Sequence, residues 1–330
     1  MSAPRDPEGT GRGAPSMVAL EPATCLLCGA DDATPVVRSA AQMSSRGGVF
    51  TFVRCRRCGL VYLNPRVPEE EIGAWYGPDY LPHRGEAAWG RYAAFAAEGQ
   101  RRTDRARVRW TVRYAAPSRT SVVLDVGCGR PTYLEALHRR TGARGVGLDF
   151  SDAGWRNDPE RWEAAGLELH HGRLEEAGLQ RRFDAITMWH ALEHDYRPLD
   201  TLRRLRDLAN DGATLLVEVP NHEALTRRLH GSAWAGYHTP RHTAVFTPRT
   251  LGAVLERAGW RLVRQHAHGT LDPYVLWWLG RQERAGRPLD GELGSRFPSF
   301  MAGKLLTMPV ALAQRWVSLG VQFAVARATG

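Results

Sequence analysis

A short apolar run that ends in a glycine turn constrains the fold of this chain more than any other feature. The run covers residues 122–126, with Asp125 inside it, and Gly127 and Gly129 follow directly before a helix-like pattern. A buried strand, a tight turn and a helix start are how open α/β sheets present a nucleotide-sized ligand. Glycine suits the turn because it has no Cβ to clash with a closely approaching ligand.

A carboxylate follows the turn at the spacing that a nucleoside-binding site requires. Asp149 ends a second short apolar run, residues 145–149. An acid about 20 residues beyond such a turn can accept hydrogen bonds from ribose hydroxyls. The turn and the acid together predict that the chain binds an adenosine-type ligand.

From residue 119 onward, strand-like and helix-like patterns alternate, which predicts a parallel sheet with helices on both faces. The predicted strands are residues 121–126, 144–149, 167–171, 183–189, 213–219 and 260–267. The predicted helices are residues 131–141, 159–165, 197–209 and 247–258.

Residues 269–319 interrupt this alternation with a broad apolar stripe, and residues 321–326 then form a closing strand. We expect a helical insertion before the last strand, placed as a lid over the ligand crevice. The apolar stripe also fits a segment that only packs on the core, an apolar substrate pocket, or shallow contact with a membrane surface.

Two pairs of cysteines near the N-terminus predict a metal site. Cys25 and Cys28 form one CxxC knuckle, Cys55 and Cys58 form another, and a glycine follows each. Four thiolates suit tetrahedral Zn²⁺ and leave no position for water, so we expect a structural zinc ribbon. Two redox CxxC motifs are the alternative, and the duplication argues against them. The fifth cysteine, Cys128, is expected to be a small packing residue.

These patterns divide the chain into a disordered tail (1–20), a zinc-binding module (21–64), a helical connector or cap (65–118) and an α/β domain (119–330). The net charge is +9, and Lys304 is the only lysine among 44 basic residues. The charge is scattered rather than blocked, which does not by itself indicate nucleic acid. No secretory signal or membrane-spanning run is visible, so we expect a cytoplasmic protein.

Taken together, residues 25–327 resemble the class I S-adenosylmethionine-dependent methyltransferases, in particular the branch with an N-terminal zinc module. The resemblance rests on the D-x-G-x-G turn at residues 125–129, on residues 183–194 in and just after the fourth strand, on residues 215–221 at the end of the fifth, and on residues 234–246. It implies a Rossmann-like, doubly wound sheet of seven strands whose last strand is antiparallel, and S-adenosylmethionine as cofactor.

The resemblance implies a set of cofactor-binding residues: Asp125, Gly127, Gly129, Asp149, Phe150, Arg173, Leu174 and Trp189. Two positions depart from the family pattern. Pro131 replaces the third glycine of the turn, which narrows the approach to the methionine tail of the cofactor. Arg173 stands where an acid often holds the adenine amine, so adenine would rest on main chain and apolar contacts near Leu174.

A His/Glu cluster just past the fourth strand is the candidate catalytic group. His190, Glu193 and His194 share one face if this segment forms a helical turn. They lie at the carboxyl edge of the sheet, where ligands bind. His190 is the candidate general base, because an imidazole titrates near neutral pH. The cluster would alternatively shape the cofactor pocket and cap the helix.

A second polar segment, at residues 237–242, supplies candidate substrate contacts. Tyr237, His238, Arg241 and His242 would bind an anionic or hydroxyl-bearing group of the substrate, or would hold a loop in place. The histidines lack a recognisable ligand spacing, so the sequence does not predict a second metal site.

Three functions fit these features. The first is methylation at O or C of a small, partly apolar molecule of secondary metabolism. The second is RNA methylation, suggested by the zinc module and the basic charge, although no aromatic and basic RNA-binding stripe is visible. The third is a non-catalytic cofactor-binding protein, which Pro131 keeps open. The expected partner is a small-molecule acceptor, and nucleic acid is not expected. Contact of residues 269–319 with a membrane surface is an alternative, and the oligomeric state is open.

Overall fold

The computed structural model describes residues 19–77 and 80–329, so the predicted tail lies outside the described residues except for residues 19 and 20. The strands are β1 (Ala33–Ala40), β2 (Val49–Cys55), β3 (Val61–Leu63), β4 (Val122–Val126), β5 (Arg144–Asp149), β6 (Leu167–His171), β7 (Phe183–Trp189), β8 (Ala209–Pro220), β9 (Ala244–Val245), β10 (Trp260–His266) and β11 (Val321–Ala328). The α-helices are α1 (Leu81–Arg84), α2 (Ala93–Ala115), α3 (Thr132–Thr141), α4 (Pro159–Ala164), α5 (Pro198–Asp207), α6 (Leu225–His230), α7 (Pro248–Arg257), α8 (Pro273–Arg284) and α9 (Phe297–Leu312).

A seven-stranded sheet forms the larger part of the molecule, in the order β10-β11-β8-β7-β4-β5-β6. Strand β11 is antiparallel to both of its neighbours, and the remaining pairs are parallel. The predicted α/β fold class is therefore confirmed. The near-continuous apolar runs of β4, β7 and β8 follow from this arrangement, because central strands covered on both faces have no polar side.

Strand bounds follow the sequence pattern closely, with one informative difference at β8. This strand begins at Ala209 rather than at residue 213. Ala209 pairs with Phe183, and the ladder then shifts register before Ala185 pairs with Thr214. Such a shift interrupts the alternation of residues along the strand, so the sequence pattern does not show where the strand begins.

A second sheet joins the cysteine-bearing segment to the α/β domain. Its order is β1-β2-β3-β9, and β9 comes from the segment between β8 and α7. Val61 pairs with Val245, and Tyr62 pairs with Ala244. Residues 21–64 therefore share a sheet with the larger domain.

The 269–319 insertion is helical, as expected, but it packs mainly on one flank. Helix α8 lies against α6 and against the 3-10 turns within residues 231–237. Trp278 of α8 also contacts Trp89, with ring centroids 5.7 Å apart. None of the helices among the described residues is both long enough and apolar enough to cross a bilayer.

Candidate functional site

A cavity of about 930 Å³ lies at the carboxyl ends of β4, β5 and β7. One wall comes from the glycine turn and the residues after β5 and β6, and the other from the connector, residues 69–87. A space of this size is typical of small-molecule and cofactor sites. The sheet edge at which it lies is where open α/β sheets bind ligands.

The glycine turn is held against the sheet by backbone hydrogen bonds and by Asp149. Gly127 has a φ of +74°, and a Cβ there would lie 2.6 Å from the Cβ of Ala191. The amide of Gly129 donates to Asp149 Oδ2 at 2.9 Å, and the amide of Ser151 donates to Oδ1 at 2.9 Å. Burial raises the pKa of Asp149, and these hydrogen bonds oppose that rise. The carboxylate therefore fixes the turn and also lines the cavity.

Most of the predicted cofactor residues line this cavity. They are Gly127, Gly129, Asp149, Phe150, Arg173 and Leu174. Asp125 does not, because it is buried beneath the turn and accepts a 2.6 Å hydrogen bond from Thr187. Burial raises the pKa of Asp125 to about 7. Trp189 is also buried behind the wall, where its ring stacks on Phe323.

The structure shows the surroundings of both residues that depart from the family pattern. Pro131 occupies the N-cap position of α3, where its fixed φ fits a helix start. Arg173 lines the cavity and forms a 3.0 Å ion pair with Glu69 of the connector. The other oxygen of Glu69 pairs with Arg197 at 3.1 Å. An acid therefore does stand at this end of the cavity, although it comes from a distant part of the chain.

His190 lines the cavity and lies between two buried glutamates. Its Nε2 is 2.9 Å from Glu218 Oε1, and its Nδ1 is 3.2 Å from Glu193 Oε1. Burial opposes a charge on the imidazole, but the two carboxylates outweigh burial and raise the pKa of His190 to about 9. His190 is therefore mostly an imidazolium at neutral pH.

The backbone differs from the helical turn expected here. His190 has a left-handed φ of +59°, and the 3-10 turn begins only at Leu192. The three catalytic candidates therefore do not share a helical face. His190 and Glu193 face each other, whereas His194 contacts the connector through a 2.9 Å hydrogen bond with the hydroxyl of Tyr76.

Glu218 belongs to this cluster but was not among the predicted site residues. This carboxylate is fully buried at the end of β8 and accepts hydrogen bonds from the amides of Thr270 and Leu271. Burial would raise its pKa, but the hydrogen bond and charge of His190 lower it. The available signal was an acid inside the otherwise apolar run of residues 215–219.

The connector supplies an aromatic wall that was also missed. Tyr76 packs edge-on against Phe150 and Tyr80, with ring centroids 4.9 and 5.1 Å apart. Tyr76 and Tyr80 line the cavity, whereas no described residue of the 269–319 insertion does so. The cover over the crevice is therefore the connector rather than the predicted lid. The insertion lies elsewhere because α8 packs on α6.

The structure places the predicted substrate residues behind this wall. Tyr237, His238, Arg241 and His242 are all buried, and none lines the cavity. Arg241 donates to the backbone carbonyls of Trp75, Gln42 and Met43. This geometry matches the alternative in which the segment holds loops in place.

The four N-terminal cysteines converge as a tetrahedral site requires. Cys25 Sγ is 3.4 Å from Cys58 Sγ, and Cys28 Sγ is 3.5 Å from Cys55 Sγ. All four sulfurs lie within 4.8 Å of one another. The two knuckles share a backbone hydrogen bond: the amide of Gly29 donates to the carbonyl of Cys25, and the amide of Gly59 donates to that of Cys55. Four thiolates at these distances fit a zinc ion with Zn–S bonds of about 2.3 Å.

Comparisons with known proteins agree with this architecture. Residues 97–265 match the protein family described as "Methyltransferase domain". No curated protein matches the chain.

Several solved structures have a similar fold at low sequence identity. One is the 1,6-didemethyltoxoflavin-N1-methyltransferase of Burkholderia thailandensis with bound 1,6-didemethyltoxoflavin and S-adenosylhomocysteine, with 14% identity, a TM-score of 0.51 and coverage of 88% of this chain and 100% of that chain. Another is the magnesium protoporphyrin IX methyltransferase of Synechocystis PCC 6803 with bound SAH, with 13% identity, a TM-score of 0.50 and coverage of 79% and 100%. A third comes from a complex of the Haloferax volcanii Trm112 methyltransferase activator with a methyltransferase, with 18% identity, a TM-score of 0.50 and coverage of 74% and 98%.

Replacing one cysteine of the cluster should release its metal. We expect Cys28→Ser to bind less than one zinc ion at the cluster and to lower the melting temperature, because a missing thiolate breaks a site that couples metal binding to folding. Elemental analysis and calorimetry measure both effects. Cys128→Ser is the matched control, since this buried cysteine is outside the cluster. Equal zinc content in the two variants would contradict the site.

Proposed function

The chain belongs to the methyltransferase-domain family, and we propose that it transfers the methyl group of S-adenosylmethionine to an oxygen or carbon atom of a small, partly apolar molecule, as in secondary metabolism. The observation that carries this proposal is the cavity, which is lined by the glycine turn and Asp149 and also by His190 and His194. Its volume of about 930 Å³ suits a cofactor with a small acceptor.

The residues around the turn fit the cofactor. A Cβ at Gly129 would meet no atom within 4 Å, so the backbone there is open to a ligand. Asp149 lies where ribose hydroxyls would donate to it, and Phe150 and Leu174 offer apolar surface for adenine. When bound, S-adenosylmethionine supplies an electrophilic methyl group on its sulfonium sulfur. The protein's part is to hold the acceptor nucleophile in line with that group and to exclude water.

Removing the charge of Asp149 should weaken cofactor binding. We expect Asp149→Asn to raise the Kd for S-adenosylmethionine by about 10- to 100-fold, because a hydrogen bond to a charged group contributes about 1.5–3 kcal/mol. Isothermal titration calorimetry gives the two affinities. Asp152→Asn is the control, because it is the same substitution three positions away, at a residue that does not line the cavity. Similar affinities of both variants and the native chain would contradict the proposed ribose contact.

Proton removal is the second requirement when the acceptor is a hydroxyl or a carbon acid, and His190 is the proposed base. It lines the cavity beside Ala191 and is held by Glu193 and Glu218. Arg107 is a further charge near this group, and it helps to lower the pKa of Glu218. Because the pKa of His190 is raised to about 9, only the minor unprotonated form accepts a proton at neutral pH. Each ring nitrogen lies within 3.2 Å of a glutamate oxygen, so this step requires the acceptor hydroxyl or carbon to replace one glutamate at its nitrogen.

The pH dependence of turnover tests this role. We expect kcat/KM, measured with labelled cofactor and an acceptor found by screening, to rise with pH up to about 9, where His190 loses its proton. Glu218→Gln should move this rise to lower pH, because one of the two carboxylates that favour the imidazolium is gone. If kcat/KM is instead independent of pH from about pH 7 upward in both proteins, His190 is not the base but a permanent cation that neutralises the glutamates.

We also propose that α9 and the turn after it contact a membrane surface, from which a partly apolar acceptor would reach the enzyme. Seven large apolar side chains there are between 48% and 82% exposed: Leu305, Leu306, Met308, Val310, Leu312, Trp316 and Val317. Residues 293–330 contain no Asp or Glu, and Arg296 and Lys304 are basic, although Lys304 Nζ is paired with Asp272 at 2.6 Å. An acid-free apolar helix with basic residues suits the interface of an anionic bilayer.

Binding to vesicles tests this contact. The native chain should co-sediment with vesicles of phosphatidylcholine and phosphatidylserine, and the double variant Leu305→Ser/Leu306→Ser should lose most of that binding, because it removes apolar side chains that would enter the bilayer. Leu229→Ser is the control, since Leu229 is an exposed leucine on α6. If the double variant leaves vesicle binding unchanged but dissociates an oligomer in solution, the helix is a protein interface and the proposal fails.

A further inference from the structure

Three histidines come together at the wall of the cavity, and one of them, His194, lines it. His194, His238 and His242 each offer one ring nitrogen, and these nitrogens lie within 4.8 Å of one another. The rings are nearly perpendicular, with interplanar angles of 79°, 84° and 81° between the three pairs. Three ring nitrogens at these mutual distances are close enough to ligate one ion.

A hydrogen bond fixes the available nitrogen in one of these histidines. His194 Nδ1 lies 2.9 Å from the hydroxyl of Tyr76 and 3.2 Å from the carbonyl oxygen of Arg241, so its tautomer depends on whether that hydroxyl donates or accepts. His242 Nδ1 is 2.9 Å from the carbonyl oxygen of Gly236, which only accepts, so this Nδ1 carries the proton and Nε2 of His242 keeps a lone pair. Histidine ligands of metals in proteins usually donate their other N–H to such a carbonyl.

The third histidine has an unsatisfied nitrogen. His238 is 93% buried, since its side chain is only 7% exposed, and its Nε2 has no hydrogen-bond partner among the described residues. A buried polar nitrogen without a partner carries a free-energy penalty, which a bound ion would remove. His238 also has a left-handed φ of +38°, which non-glycine residues rarely adopt. The local backbone is thus held in an unfavourable conformation that places this ring in the cluster.

The charges around the cluster allow a cation. Glu193 Oε1 is 4.0 Å from His242 Nε2, and Glu193 Oε2 is buried without a partner among the described residues. The His190 imidazolium and Arg241 are the nearby opposing charges. His190 is paired with Glu193 and Glu218, and the guanidinium of Arg241 donates to the backbone carbonyls of Trp75, Gln42 and Met43, which partly offset its charge.

We propose that His194, His238 and His242 form a second metal site, which holds a divalent transition metal such as zinc. Three imidazoles suit zinc, and a three-ligand site leaves a coordination position for a further ligand. Because His194 also lines the cavity, the ion lies at the cavity wall. The further ligand is then a hydroxyl or carboxylate oxygen of the acceptor; this last clause rests on the proposed methyl transfer, whereas metal binding itself does not.

Metal counting tests the site without any need for turnover. The full-length native chain, saturated with zinc and desalted, should retain about two ions, one at the cysteines and one at the histidines. His238→Gln/His242→Gln should retain about one, and Cys28→Ser should keep the histidine ion. His222→Gln is the matched control, because His222 is a buried histidine of the same region outside the cluster.

Cobalt substitution and cofactor binding separate the outcomes. In the histidine double variant, cobalt should keep its thiolate charge-transfer absorption and lose the part of its visible spectrum that comes from nitrogen ligands. Unchanged S-adenosylmethionine affinity would show that this variant folds. One ion in the native chain, with equal metal content in the double variant, would overturn the second site. If the native chain does not bind S-adenosylmethionine, the proposed function is contradicted, whereas the metal count still tests the second site.

Discussion

The arrangement of the chain depends on the hydrogen bonds that the buried guanidinium of Arg241 makes. It comes from the α/β domain and donates to the carbonyls of Gln42 and Met43, near the cysteine-bearing segment, and to that of Trp75 in the connector. The ring of Tyr80 lies 4.4 Å from it. Burying an ion costs several kcal/mol unless hydrogen bonds replace its water. The three carbonyls and the aromatic face do so, and three distant stretches of chain meet at one charge.

The cavity is built on this junction. Once Trp75 is held by Arg241, the next residue, Tyr76, reaches His194 and packs on Phe150. Tyr80 stacks on His238, with ring centroids 5.5 Å apart. The connector therefore closes the cavity on one side and covers the histidine cluster on the other. A single buried ion thus couples the fold of the N-terminal segment to the shape of the site.

The chemistry of the site is concentrated where buried charges face one another. His190 lies between Glu193 and Glu218, so two carboxylates share one imidazolium at neutral pH. Removing one partner of such a buried group leaves the others uncompensated, which costs more than the interaction itself contributes. Glu218 also accepts hydrogen bonds from Thr270 and Leu271, so the cluster ties the end of β8 to the start of the insertion.

The sequence by itself determined the features that depend on neighbours along the chain. The apolar run before Gly127 indicated β4 and the turn, the spacing of Asp149 indicated an acid at the ligand-binding turn, and the two CxxC knuckles indicated the four-thiolate cluster. Only the tertiary structure decided which distant segments meet. It placed the connector rather than the insertion over the cavity, added β9 to the N-terminal sheet, and brought His194 to His238. The reason is physical: periodicity and spacing report local backbone geometry, whereas these contacts arise from burial of side chains far apart in sequence, whose partners no local pattern specifies.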